Sequence, residues 1–252
     1  MKFTKYILTH HVFSTAHLLE NADSRKSSTQ QLKMALASGT VERVRRGLYV
    51  SNAPVFESKV PDPYEVVVAL DDDAVLSYHS ALEALGVAHN VSFACHFRSN
   101  VVRSSFSYDG VAYLPHDDKK AVLTQKIRGR AFGSVLCTTR EQTFFDCLKH
   151  PEWSGGIEEV VRSLSAFAYV DTVVLANLAL ADSASMAARV GWLLDAKSTA
   201  WKVPESVLRD LLEASQGVKS KFNKRSIAAG GWSSKWSMVL PDAEEEMMAW
   251  IS

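Results

Sequence analysis

Residues 27–50 read Ser27-Ser28-Thr29-Gln30-Gln31-Leu32-Lys33-Met34-Ala35-Leu36-Ala37-Ser38-Gly39-Thr40-Val41-Glu42-Arg43-Val44-Arg45-Arg46-Gly47-Leu48-Tyr49-Val50, a helical period that runs into two β-prone stretches around Arg46-Gly47. Ser28 and Gln31 stand in the capping-box relation, in which two side chains satisfy backbone N–H groups that the start of a helix leaves open. The spacing therefore predicts a helix beginning at Ser27 or Ser28. Leu32, Ala35 and Leu36 recur on one helical face and Gly39 ends the run. The stretch from Val41 to Val50 predicts a hairpin bearing Arg43, Arg45 and Arg46.

Upstream, Tyr6, Ile7 and Leu8 predict a first short helix, and Ser14 stands where it caps a second one from Thr15 to Ala22. Two helices, a third helix and a basic hairpin, in that order, make a winged helix-turn-helix over residues 1–52. In such a module the N-terminal part of the third helix meets base edges in the major groove. That nominates Ser28, Thr29, Gln30 and Lys33, with Gln30 suited to an adenine edge. Arg43, Arg45 and Arg46 on the hairpin are expected on phosphates or in the minor groove.

The charge distribution points the same way. The 252 residues carry 28 basic and 28 acidic side chains, yet residues 1–60 hold nine basic and four acidic ones, a net +5 that leaves −5 for the rest. A basic segment on an acidic body suits a nucleic-acid reader joined to a regulatory or partner-binding module. A protein-docking module or a solvated basic face would have the same charge. With 47% hydrophobic and 22% charged residues the chain is composed as a globular protein, which excludes wholesale disorder. Three cysteines without Cys-x-x-Cys spacing indicate neither a disulfide framework nor a thiolate zinc site, so a reducing cytoplasm is expected. Met1–Thr9 lacks a signal-peptide pattern and no run of 18 apolar residues occurs, so neither secretion nor a membrane partner is expected.

Residues 53–63 are proline-rich and predict a linker. Beyond it, residues 64–252 predict an α+β domain with a small, mostly antiparallel sheet and a C-terminal run of helices. Strands are expected at Val91–Phe97, Val101–Tyr108, Val111–Leu114 and Phe132–Thr138, with Tyr108-Asp109-Gly110 as a hairpin turn. Helices are expected at Leu76–Leu85, from Thr139 onward, and at Ile157–Phe167, Asp171–Ala181, Ser183–Ala196 and Pro204–Ala214.

No nucleophile elbow, phosphate-binding glycine loop or zinc-protease motif is present. Asp71-Asp72-Asp73 reads as an acidic turn favoured before a helix, because consecutive residues do not converge on one metal ion. Cys147 and His150 share a helical face, but Cys147 sits in an apolar stripe and reads as a buried thiol. His10, His11 and His17 are too loosely placed for a metal site. No catalytic residue, metal or cofactor is expected. Lys219, Lys221, Lys224 and Arg225, followed by Trp232 and Trp236, form a second basic stretch with aromatics, read either as a phosphate-and-base surface or as a solvated loop before a closing strand.

Several segments resemble one known family. They are Thr29-Gln30-Gln31-Leu32 through Arg45-Arg46-Gly47-Leu48-Tyr49, then Leu76-Ser77-Tyr78-His79-Ser80-Ala81-Leu82-Glu83, then Asp146-Cys147-Leu148 with Pro151, Gly155, Gly156 and Glu158-Glu159. Ser185 through Leu194 is similar too. In this order they resemble the AbiEi family of antitoxins and transcriptional regulators, and the likeness runs through most of the chain. The resemblance implies an N-terminal winged helix that binds inverted repeats in its own promoter. It also implies a C-terminal domain that counteracts a nucleotidyltransferase-like toxin, with direct contact left open. Carried over, Ser28, Thr29, Gln30, Lys33, Arg43, Arg45 and Arg46 are the DNA-facing residues. The expected protein is a non-enzymatic autorepressor and antitoxin, a monomer or weak dimer that pairs on DNA. The alternative is a metal-dependent nuclease with a winged-helix targeting domain, its ligands drawn from Asp71, Asp72, Asp73 and Glu83.

Overall fold

Ser14, Thr139, Asp171 and Ser183 each accept a backbone N–H two or three residues on, and each starts a helix where its spacing predicts one. Such caps contribute about 1 kcal/mol apiece. The computed structural model describes residues 1–56, 60–117, 121–129, 133–223 and 230–251. Its contacts divide the chain into two units. The first comprises 1–76, 93–119 and 126–136, the second 77–92, 120–125 and 137–252. This grouping places residues 64–76 and most of the strands after residue 93 with the N-terminal segment, rather than cutting the chain at 53–63.

The first unit opens with α1 (Phe3–Ile7), β1 (Val12–Ser14), α2 (Thr15–Glu20), α3 (Arg25–Ala37), β2 (Val41–Arg45) and β3 (Leu48–Ser51). The strands form an antiparallel sheet in the order β1-β3-β2. β1 is too short to leave a period-2 pattern in the sequence; its Val12 and Phe13 are buried. Phe13, Leu18, Leu32, Ala35, Val41 and Tyr49 share a small core with Phe3, Tyr6 and Ile7.

α3 starts earlier than the capping-box spacing predicts. Ser24, not Ser28, is the cap, accepting the Ser27 N–H at 3.3 Å. Ser28 lies one turn inside the helix, on the buried face with Leu32 and Ala35.

α4 (Pro63–Leu70), capped by Asp62, leads to β4 (Val75–Leu76), and α5 (His79–Ala84) follows in the second unit. Asp71 does not start the following helix as expected; it closes α4, its N–H donating to the Val67 carbonyl at 3.1 Å. Its carboxylate accepts the Asp73 N–H at 3.1 Å and its carbonyl the Ala74 N–H at 3.0 Å, closing a turn into β4.

Next come β5 (Ala94–Arg98), β6 (Phe106–Tyr108), β7 (Val111–His116), β8 (Thr124–Gly129) and β9 (Gly133–Thr138). With β4 they form a sheet in the order β6-β7-β5-β4-β9-β8. It is mixed: β5 and β7 pair in parallel, while β4–β5 and β6–β7 are antiparallel. Asp109 and Gly110 link β6 to β7 with φ of 47° and 79°, the two positive values of a type I′ hairpin. Phe132, predicted in the last strand, lies outside the described residues.

The second unit is mainly helical: α6 (Arg140–Lys149), a 3-10 turn (Pro151–Trp153), α7 (Ile157–Ser165), α8 (Thr172–Leu180), α9 (Ala184–Ala196) and α10 (Glu205–Ser215). A sheet of β10 (Ser220–Lys221), β11 (Gly231–Ser233) and β12 (Met238–Leu240), ordered β10-β12-β11, and α11 (Glu244–Ala249) complete it. Phe144, Leu148, Val160, Leu164, Leu175, Leu193 and Trp236 belong to one core. The whole is an α+β fold. Among the described residues no helix is long and apolar enough to cross a membrane.

Candidate nucleic-acid interface

Ser28, Leu32 and Ala35 of α3 point inward, so Lys26, Gln30, Lys33 and Met34 lie on the opposite side at helical spacing, all exposed, Met34 at 62%. Ser28, nominated to face DNA, is only 4% exposed and is removed from the set. Thr29 is exposed, but its hydroxyl donates to the Arg25 carbonyl at 2.8 Å. Gln30 and Lys33 are exposed as expected.

Arg25 and Lys26 occupy the first turn of α3, and no acid stands there. Two cations at the positive end of a helix dipole are mildly unfavourable in the free protein. Such a helix end is suited to an anion. Arg25 and Lys26 were missed from sequence because the late predicted start put them in the preceding turn.

The hairpin divides its three arginines. A register shift between Arg43 and Arg45 breaks the alternation of β2 at Val44. Arg43 and Arg46 are exposed. Arg45 is half-buried: its guanidinium lies 4.7 Å from the Phe106 ring centroid and reaches the Ser104 hydroxyl at 3.3 Å and carbonyl at 3.4 Å. Arg45 is thus engaged by its own unit rather than presented to a ligand. Burial first and the negative charge of Glu42, the acid of β2, second push the Tyr108 hydroxyl pKa up to about 12. Among the described residues Arg25, Lys26, Lys33, Arg43 and Arg46 have no ion-pair partner.

No family model matches the chain, and no curated protein matches it. Among solved structures it is similar to the RV2827C protein from Mycobacterium tuberculosis, with a TM-score of 0.66 and 15% identity, over 94% of this chain and 89% of that one. At that identity the likeness is one of fold.

Residues 77–83, 146–159 and 185–194 belong to the second unit. Ser77 to Leu82 are buried, and Tyr78 takes φ 56°, rare for a side-chain-bearing residue, with its ring edge-on to Trp153 at 4.9 Å. Glu159 accepts from the N–H groups of His89 at 2.9 Å and Asn90 at 3.1 Å, the Asn90 side chain at 2.6 Å and the Ser163 hydroxyl at 2.7 Å. Burial pushes this carboxyl up, but the bonds from Ser163, Asn90 and His89, with His79 nearby, hold it below the ordinary range. Gly155, at φ 85°, leaves room for Glu159, because a Cβ there would meet that side chain at 2.6 Å.

The other chemical candidates are structural. All three cysteines are buried and outside disulfides. His150, the companion of Cys147, stacks on Trp153 at 4.1 Å. Asp71 accepts from Ser99 and Asp73, and Glu83 accepts the Ser92 N–H at 2.9 Å. His11 meets Glu65 at 3.0 Å and His17 meets the Tyr6 hydroxyl at 2.9 Å. Among the described residues no group of three or more His, Cys, Asp or Glu gathers where it could hold a metal ion. In the C-terminal basic stretch Lys219 and Lys221 are exposed, whereas Trp236 is 1% exposed and belongs to the core. Lys224 and Arg225 lie outside the described residues.

Proposed function

We propose that residues 1–52 are a winged helix-turn-helix that binds double-stranded DNA, and that the chain represses its own promoter by occupying inverted repeats there. The observation that carries this reading is the set of exposed cations without ion-pair partners among the described residues. Arg25, Lys26 and Lys33 flank Gln30 on α3, and Arg43 and Arg46 stand on the adjoining hairpin. The order α1, β1, α2, α3, β2, β3 with sheet order β1-β3-β2 is the arrangement such a module needs. α3 enters the major groove, Gln30 reads a base edge, and the arginines of the hairpin neutralise phosphates. Two copies occupy half-sites one or more helical turns apart, about 34 to 36 Å each.

The resemblance to the AbiEi family supports a second role, opposition to a nucleotidyltransferase-like toxin by the C-terminal region.

The deciding experiment titrates the full chain on DNA from upstream of its own gene and on random duplex, at several salt concentrations. Specific affinity that falls steeply with salt is expected, as condensed counterions are released. Arg46→Ala weakens binding to both DNAs, and Gln30→Ala weakens the specific one alone. Equal losses on both DNAs for Gln30→Ala would sink the recognition-helix assignment. Co-expression with the neighbouring gene then tests the antitoxin role through rescue of growth.

A further inference from the structure

Beside the turn of the β2–β3 hairpin is a cleft of about 400 Å³ whose walls include Arg45, Arg46, Gly47, Val102, Arg103 and Ser104. Three of these are arginines, and among the described residues no carboxylate lines the cleft. One of the three, Arg103, comes from outside the helix-turn-helix segment, on the loop between β5 and β6. The charge of that loop was not singled out in the sequence, where Arg103 stands alone among serines and valines.

The loop is held in place on both sides of Arg103. At its start the Ser99 hydroxyl donates to Asp71 at 2.5 Å and accepts the N–H groups of Val101 at 3.1 Å and Val102 at 2.9 Å. Val102 is buried. Just after it, Ser104 receives the Arg45 guanidinium, which is itself braced on Phe106. Gly47 is fixed as well, its carbonyl accepting the Thr15 N–H at 2.8 Å. The side chain of Arg103 is 55% exposed, and its ion-pair partner among the described residues is Asp117, 46% exposed. An exposed pair of that kind adds little to stability. The fold therefore gains little from an arginine at this position, while its anchoring sets the charge in the same cleft as Arg46. A site whose donors are already fixed loses little conformational freedom on binding.

We infer that Arg103 is a phosphate-contacting residue, and that the cleft it shares with Arg46 takes a phosphodiester of the DNA backbone. This deepens the winged-helix reading and rests on it: the DNA footprint extends from the hairpin onto the β5–β6 loop. Asp117 competes with the phosphate for the Arg103 guanidinium and is displaced on binding.

The test measures affinity of the full chain for promoter and random duplex as a function of salt. Arg103→Ala is expected to weaken both by roughly three- to ten-fold and to lower the slope of log affinity against log salt by about one, the signature of one lost phosphate contact. Arg103→Lys retains most of the slope. Asp117→Asn, which frees Arg103 without removing it, tightens both DNAs. Thermal midpoints within a degree or two of wild type show that the loop is intact. Inorganic phosphate at constant ionic strength leaves these differences in place; if it erased them, the cleft would be a site for free phosphate and the inference would fall. A wild type that does not bind DNA overturns the winged-helix reading and this inference together. Binding weakened by Arg46→Ala but unchanged in affinity and slope by Arg103→Ala overturns this inference alone.

Discussion

Ser28 takes its role from the helix face it occupies. Ser24 rather than Ser28 caps α3, and Ser28, four residues before Leu32 and seven before Ala35, lies on the buried face of the helix. Ser28→Ala is accordingly expected to leave DNA affinity within about twofold, whereas Lys33→Ala costs a phosphate-type loss on all sequences. A binding titration of the two variants checks this, and a large effect of Ser28→Ala on sequence preference would return Ser28 to the groove-facing set. Glu159 is the opposite case, a charged residue whose work is internal. Its folded pKa is depressed below the ordinary 4.5, so its stabilisation is complete above that pH and is lost as pH falls through the folded value. Glu159→Gln is expected to cost about 2 kcal/mol at neutral pH, the range for hydrogen bonds to a charged group. The gap in thermal midpoint between variant and wild type should narrow as the pH is lowered below 4.5. A gap independent of pH would mean that only shape matters there.

Among the elements, those legible in sequence are the ones with local signals. α6, α8 and α9 begin at their caps, and the β6–β7 turn needs no partner beyond its own two residues of positive φ. β1, β8, β10 and β11 were not legible, because strands of two or three residues, or strands with polar faces, take their definition from the neighbour they pair with. α9 shows packing overriding propensity. Gly191 lies within this helix, where alanine is intrinsically better by about 1 kcal/mol. Yet a Cβ there would run into the ring of Trp236, which is 1% exposed. Gly191→Ala is therefore expected to destabilise the protein by about 1 to 2 kcal/mol, overpacking outweighing the helix gain. Combining it with Trp236→Leu should cost less than the two changes added together, and chemical denaturation of the four proteins measures that coupling. The same helix carries Arg189, buried, whose pKa burial pushes down to about 10 and whose guanidinium donates to the carbonyls of Leu148 at 3.1 Å and Lys221 at 2.9 Å. It satisfies the C-terminal end of α6, a role that no sequence spacing announces.

For the whole molecule, the point of interest is where the chain can be cut. A linker at 53–63 suggests that the N-terminal module stands alone, but His11 meets Glu65 at 3.0 Å, and Arg45 rests on Phe106 and reaches Ser104. The core that Phe3, Tyr6, Phe13, Leu18, Leu32 and their neighbours form within this segment is small, and small cores leave a margin of only a few kcal/mol. A fragment of residues 1–56 is expected to melt below the full chain and to bind DNA more weakly, with circular dichroism and titration as the readouts. Equal melting and affinity would show that the segment is self-sufficient. The α+β class, the basic amino-terminal segment, the capped helices and the exposed positions of Gln30, Lys33, Arg43 and Arg46 follow from composition, cap chemistry and periodicity, which act over a few neighbouring residues. Local signals do not tell a solvent-facing arginine from one resting on a distant phenylalanine. The withdrawal of Arg45 and the arrival of Arg103 beside Arg46 were set by contacts between residues far apart in the chain, because burial and ion pairing depend on which surfaces meet.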